Sequence, residues 1–158
     1  MTNKLRQTVS AVIPKYLDRE FFKNEYLFVK DAESGLWSHT SGKIEHGENP
    51  LLAMQRESSE EIGTMLDIKG IIGIYQFYSQ HKNWVTDFTF LGYILQEPKI
   101  IRHKEIAEIK WFSLEKIYNL RRDRKLKAGK AQTTPIENLI YHNCAPWPKD
   151  LVKKSRGI

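Results

Sequence analysis

Apolar positions along this chain follow two periods. Runs rich in β-branched and aromatic residues predict strands over Thr8 to Ile13, Tyr26 to Val29, Ile71 to Tyr78, Trp84 to Leu95 and Glu108 to Phe112. Gly35 marks a turn between Tyr26–Val29 and Leu36–Trp37, and the polar stretch SQHKN reads as a hairpin loop. A helix is predicted over 50–62, where Asn49 is a suitable N-cap, Pro50 a suitable first residue and Gly63 a natural stop. Ser113 caps a second helix, Leu114 to about Leu120. Thr134-Pro135-Ile136-Glu137 has the form of a capping box, so a third helix is expected to start there. The basic run Arg121 to Lys130 reads as a surface loop, and 145–158 as an irregular tail. No repeat or linker divides the chain, so residues 1–158 are expected to form one domain.

Composition narrows the class. Hydrophobic residues make up 41% and charged residues 28%, as in a soluble globular protein rather than a disordered one. There is no apolar run of membrane-spanning length and no signal-peptide pattern at the start, and Cys144 is the single cysteine. A cytoplasmic protein without internal disulfides is expected, with no membrane partner. The net charge of +6 favours anionic partners such as phosphates or nucleic acid.

Against that basic background, one segment is acidic. GKIEHGENPLLAMQRESSEEIG places glutamates at 45, 48, 57, 60 and 61. Glu57, Glu60 and Glu61 share a helical face, where like charges oppose helix formation. A divalent cation relieves such crowding, and hard oxygen donors suit Mg²⁺ or Mn²⁺. A solvated acidic face is the alternative for the bare triple.

The positions around the triple decide between these. The segment resembles the Nudix box of MutT-like hydrolases, G-x5-E-x7-R-E-U-x-E-E-x-G-U with U apolar. Gly42, Glu48, Arg56, Glu57, Glu60, Glu61 and Gly63 all fall in register. Ser58 and Thr64 stand at apolar positions, and Ser41 precedes Gly42 where the family usually has a second glycine. Leu51, Met54, Ser58 and Ile62 form one stripe of the helix, so Ser58 is expected to be buried and bonded back to a carbonyl one turn earlier. Leucine at 58 is expected to be neutral or stabilising.

The resemblance implies an α/β/α sandwich with a mixed β-sheet and a loop-helix-loop catalytic segment. It implies a metal-dependent pyrophosphohydrolase cleaving a nucleoside diphosphate linked to another group, by water attack on phosphorus. Carried over residue by residue, Glu57 and Glu61 are metal ligands, Glu60 is a third ligand or orients the water, and the Gly42 carbonyl completes the set. Arg56 and Glu48 hold helix and loop together. For the general base, HKEIAEIKWF is similar to a frequent family stretch and offers Glu105 first, then Glu108, with Asp87 a third candidate.

Trp37 is the best candidate to stack on a substrate ring among Trp37, Tyr75, Phe77, Trp84, Phe88 and Phe90; His39 and His46 are candidates for phosphate contact. The stretches LWSHTSGKIE and KWFSLEKI are similar to small Nudix phosphatases acting on thiamine pyrophosphate and nucleotides. Two further readings compete with a small phosphate-containing substrate. One is removal of pyrophosphate from RNA 5′ ends, which the basic run supports. The other is a non-catalytic ligand sensor, which loses ground because all the box carboxylates are present. By family analogy a homodimer is possible.

Overall fold

The computed structural model describes residues 5–79 and 83–144. In chain order these form β1 (Arg6–Val12), a 3-10 turn (Phe21–Lys23), β2 (Glu25–Asp31), β3 (Trp37–Ser38), β4 (Thr40–Lys43), α1 (Pro50–Ile62), β5 (Leu66–Tyr78), β6 (Trp84–Ile94), β7 (Ile106–Ser113), α2 (Leu114–Arg122) and α3 (Lys130–Cys144).

The strands make two sheets. One is mixed, in the order β4-β1-β6-β5, with β1 and β6 parallel; the other is antiparallel, in the order β3-β2-β7. They meet where β1 hands over to β2: Leu27 N–H donates to Ile13 O at 3.0 Å and Lys15 N–H to Glu25 O at 2.8 Å.

Helices cover both faces, as a sandwich requires. Ala53, Met54 and Ile62 of α1 pack with Val9, Ala11, Leu27, Val29 and Phe90 in one core. Ile117 and Leu120 of α2 and Ile136 and Leu139 of α3 pack with Val12, Tyr26, Phe28 and Phe112 in the other. Successive residues of β2 therefore enter opposite cores. That is why Tyr26 to Val29 is an unbroken apolar run with no alternation.

Several expectations are corrected. The predicted β5 starts at Ile71, but the strand begins at Leu66, with register shifts at Ile68/Gly70 and Ile71/Gly73 that disturb the alternation. β4 and the 3-10 turn were not foreseen; β4 is only Thr40–Lys43, polar, and unlike a strand in composition. α2 extends to Arg122, and Leu126 in the basic stretch is buried, bridged to Trp37. α3 starts at Lys130, not at Thr134, and Pro135 lies inside it. Its first turn is held from outside: Gln132 is bonded to His39, and Thr133 accepts from Arg121 at 3.2 Å. Those contacts outweigh the local signal of the proline. Ser79 N–H donates to Asn83 O at 2.8 Å, closing the hairpin whose middle lies outside the described residues. The expected irregular tail, 145–158, also lies outside them.

Candidate active site

The acidic cluster sits on α1, where the helix crosses β4 and β1. Local chemistry fixes both helix ends. The Asn49 side chain accepts from Leu52 N–H at 2.9 Å. Gly63 adopts φ 69°, and a Cβ there would lie 2.8 Å from Lys99 Cγ, so both its conformation and its close packing need glycine.

Arg56 ties the segment together. Its Nε donates to Glu48 Oε2 at 2.7 Å and its Nη2 to Glu48 Oε1 at 3.0 Å, a bidentate pair. Nη2 also donates to Lys43 O at 2.8 Å, while Nη1 donates to Glu57 at 2.7 Å and Glu60 at 3.1 Å. One guanidinium thus joins the loop to the helix. It holds the Glu48 carboxyl below the usual carboxylate range, while these carboxylates push the Arg56 pKa further up.

Glu57 and Glu61 point at β4. Gly42 is the reason they can: a Cβ at that position would overlap the Glu57 carboxylate. Burial raises the Glu57 pKa against the pull of Arg56. Burial pushes Glu61 up to about 8, although Ser41 N–H donates to its Oε1 at 2.8 Å. Nearby Glu57 and Glu105 raise Glu61 further and Lys127 lowers it.

Strand register orients the backbone beside these carboxylates. Ile44 N–H donates to Gln7 O, so the Val9–Gly42 pair, two residues on, is also hydrogen-bonded, and the Ser10–Ser41 pair between them is not. The Gly42 carbonyl therefore turns toward β1, and the Ser41 carbonyl lies on the free edge, beside Glu61. Sequence register singled out Gly42; its structural part is the space its missing side chain leaves for the Glu57 carboxylate.

Hard oxygen donors, a glycine that lets the Glu57 carboxylate close on β4 and two desolvated carboxylates fit a divalent cation. Among the described residues no three such side chains already converge at metal-binding distance. Arg56 and Arg102 engage Glu60 instead, with Arg102 Nη2 at 3.1 Å from Glu60 Oε1.

The other candidates separate. Glu105 stands at the cluster's margin, exposed, 3.6 Å from Arg102 Nη1. Glu108 is paired with Lys30 and Lys110 on β7. Asp87 is buried and accepts from Thr8, Ser10 and Thr89 at 2.5, 2.9 and 2.6 Å. These lie on the sheet face opposite α1, because Val9, Ala11 and Phe90 occupy the α1 face. Asp87 is thus away from the cluster.

Trp37 is not in a loop and not open to stacking: it is 6% exposed, edge-on to Phe112. His39 is buried too, with Nε2 2.8 Å from Gln132 O, and burial pushes its pKa down to about 4. It cannot reach a phosphate from there. His46 is exposed on the loop. Of the aromatics, Phe90 is core, and Tyr75 accepts from Asn138 Nδ2 at 2.7 Å. Arg102 was missed, since its stretch carries no periodic pattern; the available signal was a cation three residues before Glu105.

The NUDIX domain family model matches residues 8–135. The chain belongs to that family, and it is a hydrolase of phosphoric anhydride bonds. Among solved structures, it is similar to a NUDIX hydrolase from Nitrosomonas europaea, at 26% identity over 94% of this chain and 95% of that one, with TM-score 0.72. A MutT protein from Methanosarcina mazei Go1 matches at 24% identity, over 90% and 98% of the two chains, with TM-score 0.72. An Ap4A hydrolase from C. elegans matches at 16% identity, over 88% and 98%, with TM-score 0.67. No curated protein matches the chain.

Proposed function

We propose that this hydrolase is a divalent-cation-dependent pyrophosphohydrolase acting on a nucleoside diphosphate derivative or a small cofactor pyrophosphate. The observation that carries this is the seating of Glu57 and Glu61 against a glycine strand edge, both with raised proton affinity from burial. Such carboxylates gain most from a cation.

Glu57 and Glu61, with a backbone oxygen of the Ser41–Gly42 edge, would hold Mg²⁺ or Mn²⁺. When bound, the cation supplies neutralisation of phosphate oxygens and a more acidic water. Glu60 is the further ligand or orients the water. Arg56 and Glu48 are positioning residues, since they hold α1 and the loop before it in register. Glu105 remains the first candidate for the base, because it is exposed at the margin of the cluster and close enough to raise Glu61. A single domain with one cysteine suits a cytoplasmic enzyme; among the described residues no helix is long and apolar enough to cross a membrane.

The test is release of phosphate and pyrophosphate from a panel, with Mg²⁺ or Mn²⁺, beside Glu61→Gln. Nucleoside triphosphates, ADP-ribose, diadenosine polyphosphates, thiamine pyrophosphate and triphosphorylated RNA would be included. Cation-dependent turnover, lost in folded Glu61→Gln, is expected. Turnover unchanged by EDTA or by the substitution would refute the reading.

A further inference from the structure

Two guanidiniums meet the acidic cluster, and they are held differently. Arg56 is locked: its side chain is 22% exposed, and its donors are committed to Glu48, Glu57, Glu60 and the Lys43 carbonyl. Arg102 is twice as open, at 44%, and among the described residues its ion pairs are with Glu60, at 3.1 Å, and Glu105, at 3.6 Å. A guanidinium carries five donors in a planar fork, so Arg102 keeps capacity that Arg56 lacks.

The backbone under Arg102 is fixed. Its carbonyl accepts from Glu105 N–H at 3.0 Å and Ile106 N–H at 2.9 Å, closing a turn that sets Arg102 beside Glu105. Ala32 N–H donates to Glu105 O at 2.8 Å, and Lys99 N–H donates to Ile62 O at 2.9 Å at the end of α1. The close packing at Gly63 seats this same segment on the helix. A half-exposed head on a fixed base therefore stands beside the two carboxylates that the reaction needs free.

We propose that Arg102 is a counter-cation built into the site: it engages Glu60 and Glu105 in the cation-free protein and transfers to a substrate phosphate once Glu60 turns to a divalent cation. This rests on the cation-dependent reading above. A guanidinium pairs with phosphate as well as with carboxylate, often through two parallel bonds, so the exchange keeps its charge satisfied. Arg102 then has opposite effects on two ligands. It competes with the cation and assists the anion.

The test uses the full chain with Mn²⁺ alone, followed by inorganic phosphate added to the Mn²⁺-loaded protein. Arg102→Ala is expected to bind Mn²⁺ about two- to fivefold more tightly, the scale of an exposed ion pair, and phosphate several-fold more weakly. Arg102→Lys keeps the charge but not the fork; it should bind Mn²⁺ like wild type and phosphate less well. Unchanged or weaker Mn²⁺ binding by Arg102→Ala would show a merely structural hold on Glu60 and overturn the proposal, as would unchanged phosphate binding. Wild-type protein that binds no Mn²⁺ would overturn the cation-dependent reading as well. Melting curves on each variant separate these outcomes from misfolding.

Discussion

At the scale of single residues, Gly42 and Glu61 carry the sharpest consequences. Gly42→Ala puts a methyl where the Glu57 carboxylate lies. The expected result is a folded protein whose turnover falls by about 100-fold, as displacements near 1 Å at a catalytic group can produce. Steady-state kinetics beside a circular dichroism spectrum would check both halves. Glu61 moves from an ordinary 4.5 to about 8 on folding, so the folded state holds the proton more tightly. Its contribution to stability is fully present below about pH 4.5 and is lost as pH rises through about 8. In EDTA the melting temperature should therefore drop across that window, and Glu61→Gln should flatten the slope. A melting temperature that climbs with pH there would contradict the burial argument. Most residues of the acidic segment were legible beforehand, because identity and spacing alone place them. The aromatic and histidine candidates were not. Trp37 and His39 belong to buried positions fixed by Phe112, Gln132 and Leu126, which lie far along the chain.

At the scale of elements, α1 was readable to its last residue. Its N-cap, proline start and glycine stop are local signals and act locally. Asn49→Ala should cost about 1 kcal/mol in chemical denaturation. The buried stripe was only partly readable: Leu51 is 52% exposed, and Ala53 takes its place beside Met54, Ser58 and Ile62. Ser58 is fully buried, with its hydroxyl donating to Gln55 O at 3.1 Å. The site is thus filled as well as satisfied. Ser58→Leu is now expected to lose about 1–3 kcal/mol by overpacking, the reverse of what the bare stripe implied. Ser58→Ala should be close to neutral, and the pair of melting curves decides it. α3 was the element misread, because its start depends on contacts from Arg121 and His39 rather than on its own proline.

At the scale of the whole molecule, the basic balance invited an RNA reading. Part of that charge is already engaged: Arg121 lies 3.7 Å from Glu137, and Arg122 3.4 Å from Asp123. Activity on a triphosphorylated oligonucleotide should fall with added salt no more steeply than activity on a free nucleotide. A much steeper fall would indicate several phosphate contacts and revive the RNA reading. The layered fold was legible as a class through the resemblance of the acidic segment to the Nudix box, while the strand and helix pattern supplied only the elements. The order of strands was not, since no local property of β1 says that it pairs with β6.

That pairing also governs how the chain is made. β1 leaves the ribosome before the other described strands, yet its parallel neighbour follows only at Trp84–Ile94, with Thr8 meeting Asp87 across the intervening chain. A nascent chain halted before β6 holds every box carboxylate but lacks the strand on which β1 must lean. The metal-binding segment is therefore translated well before it can be assembled, and a nascent chain is expected to resist protease only after β6, and behind it β7, α2 and α3, have left the exit tunnel.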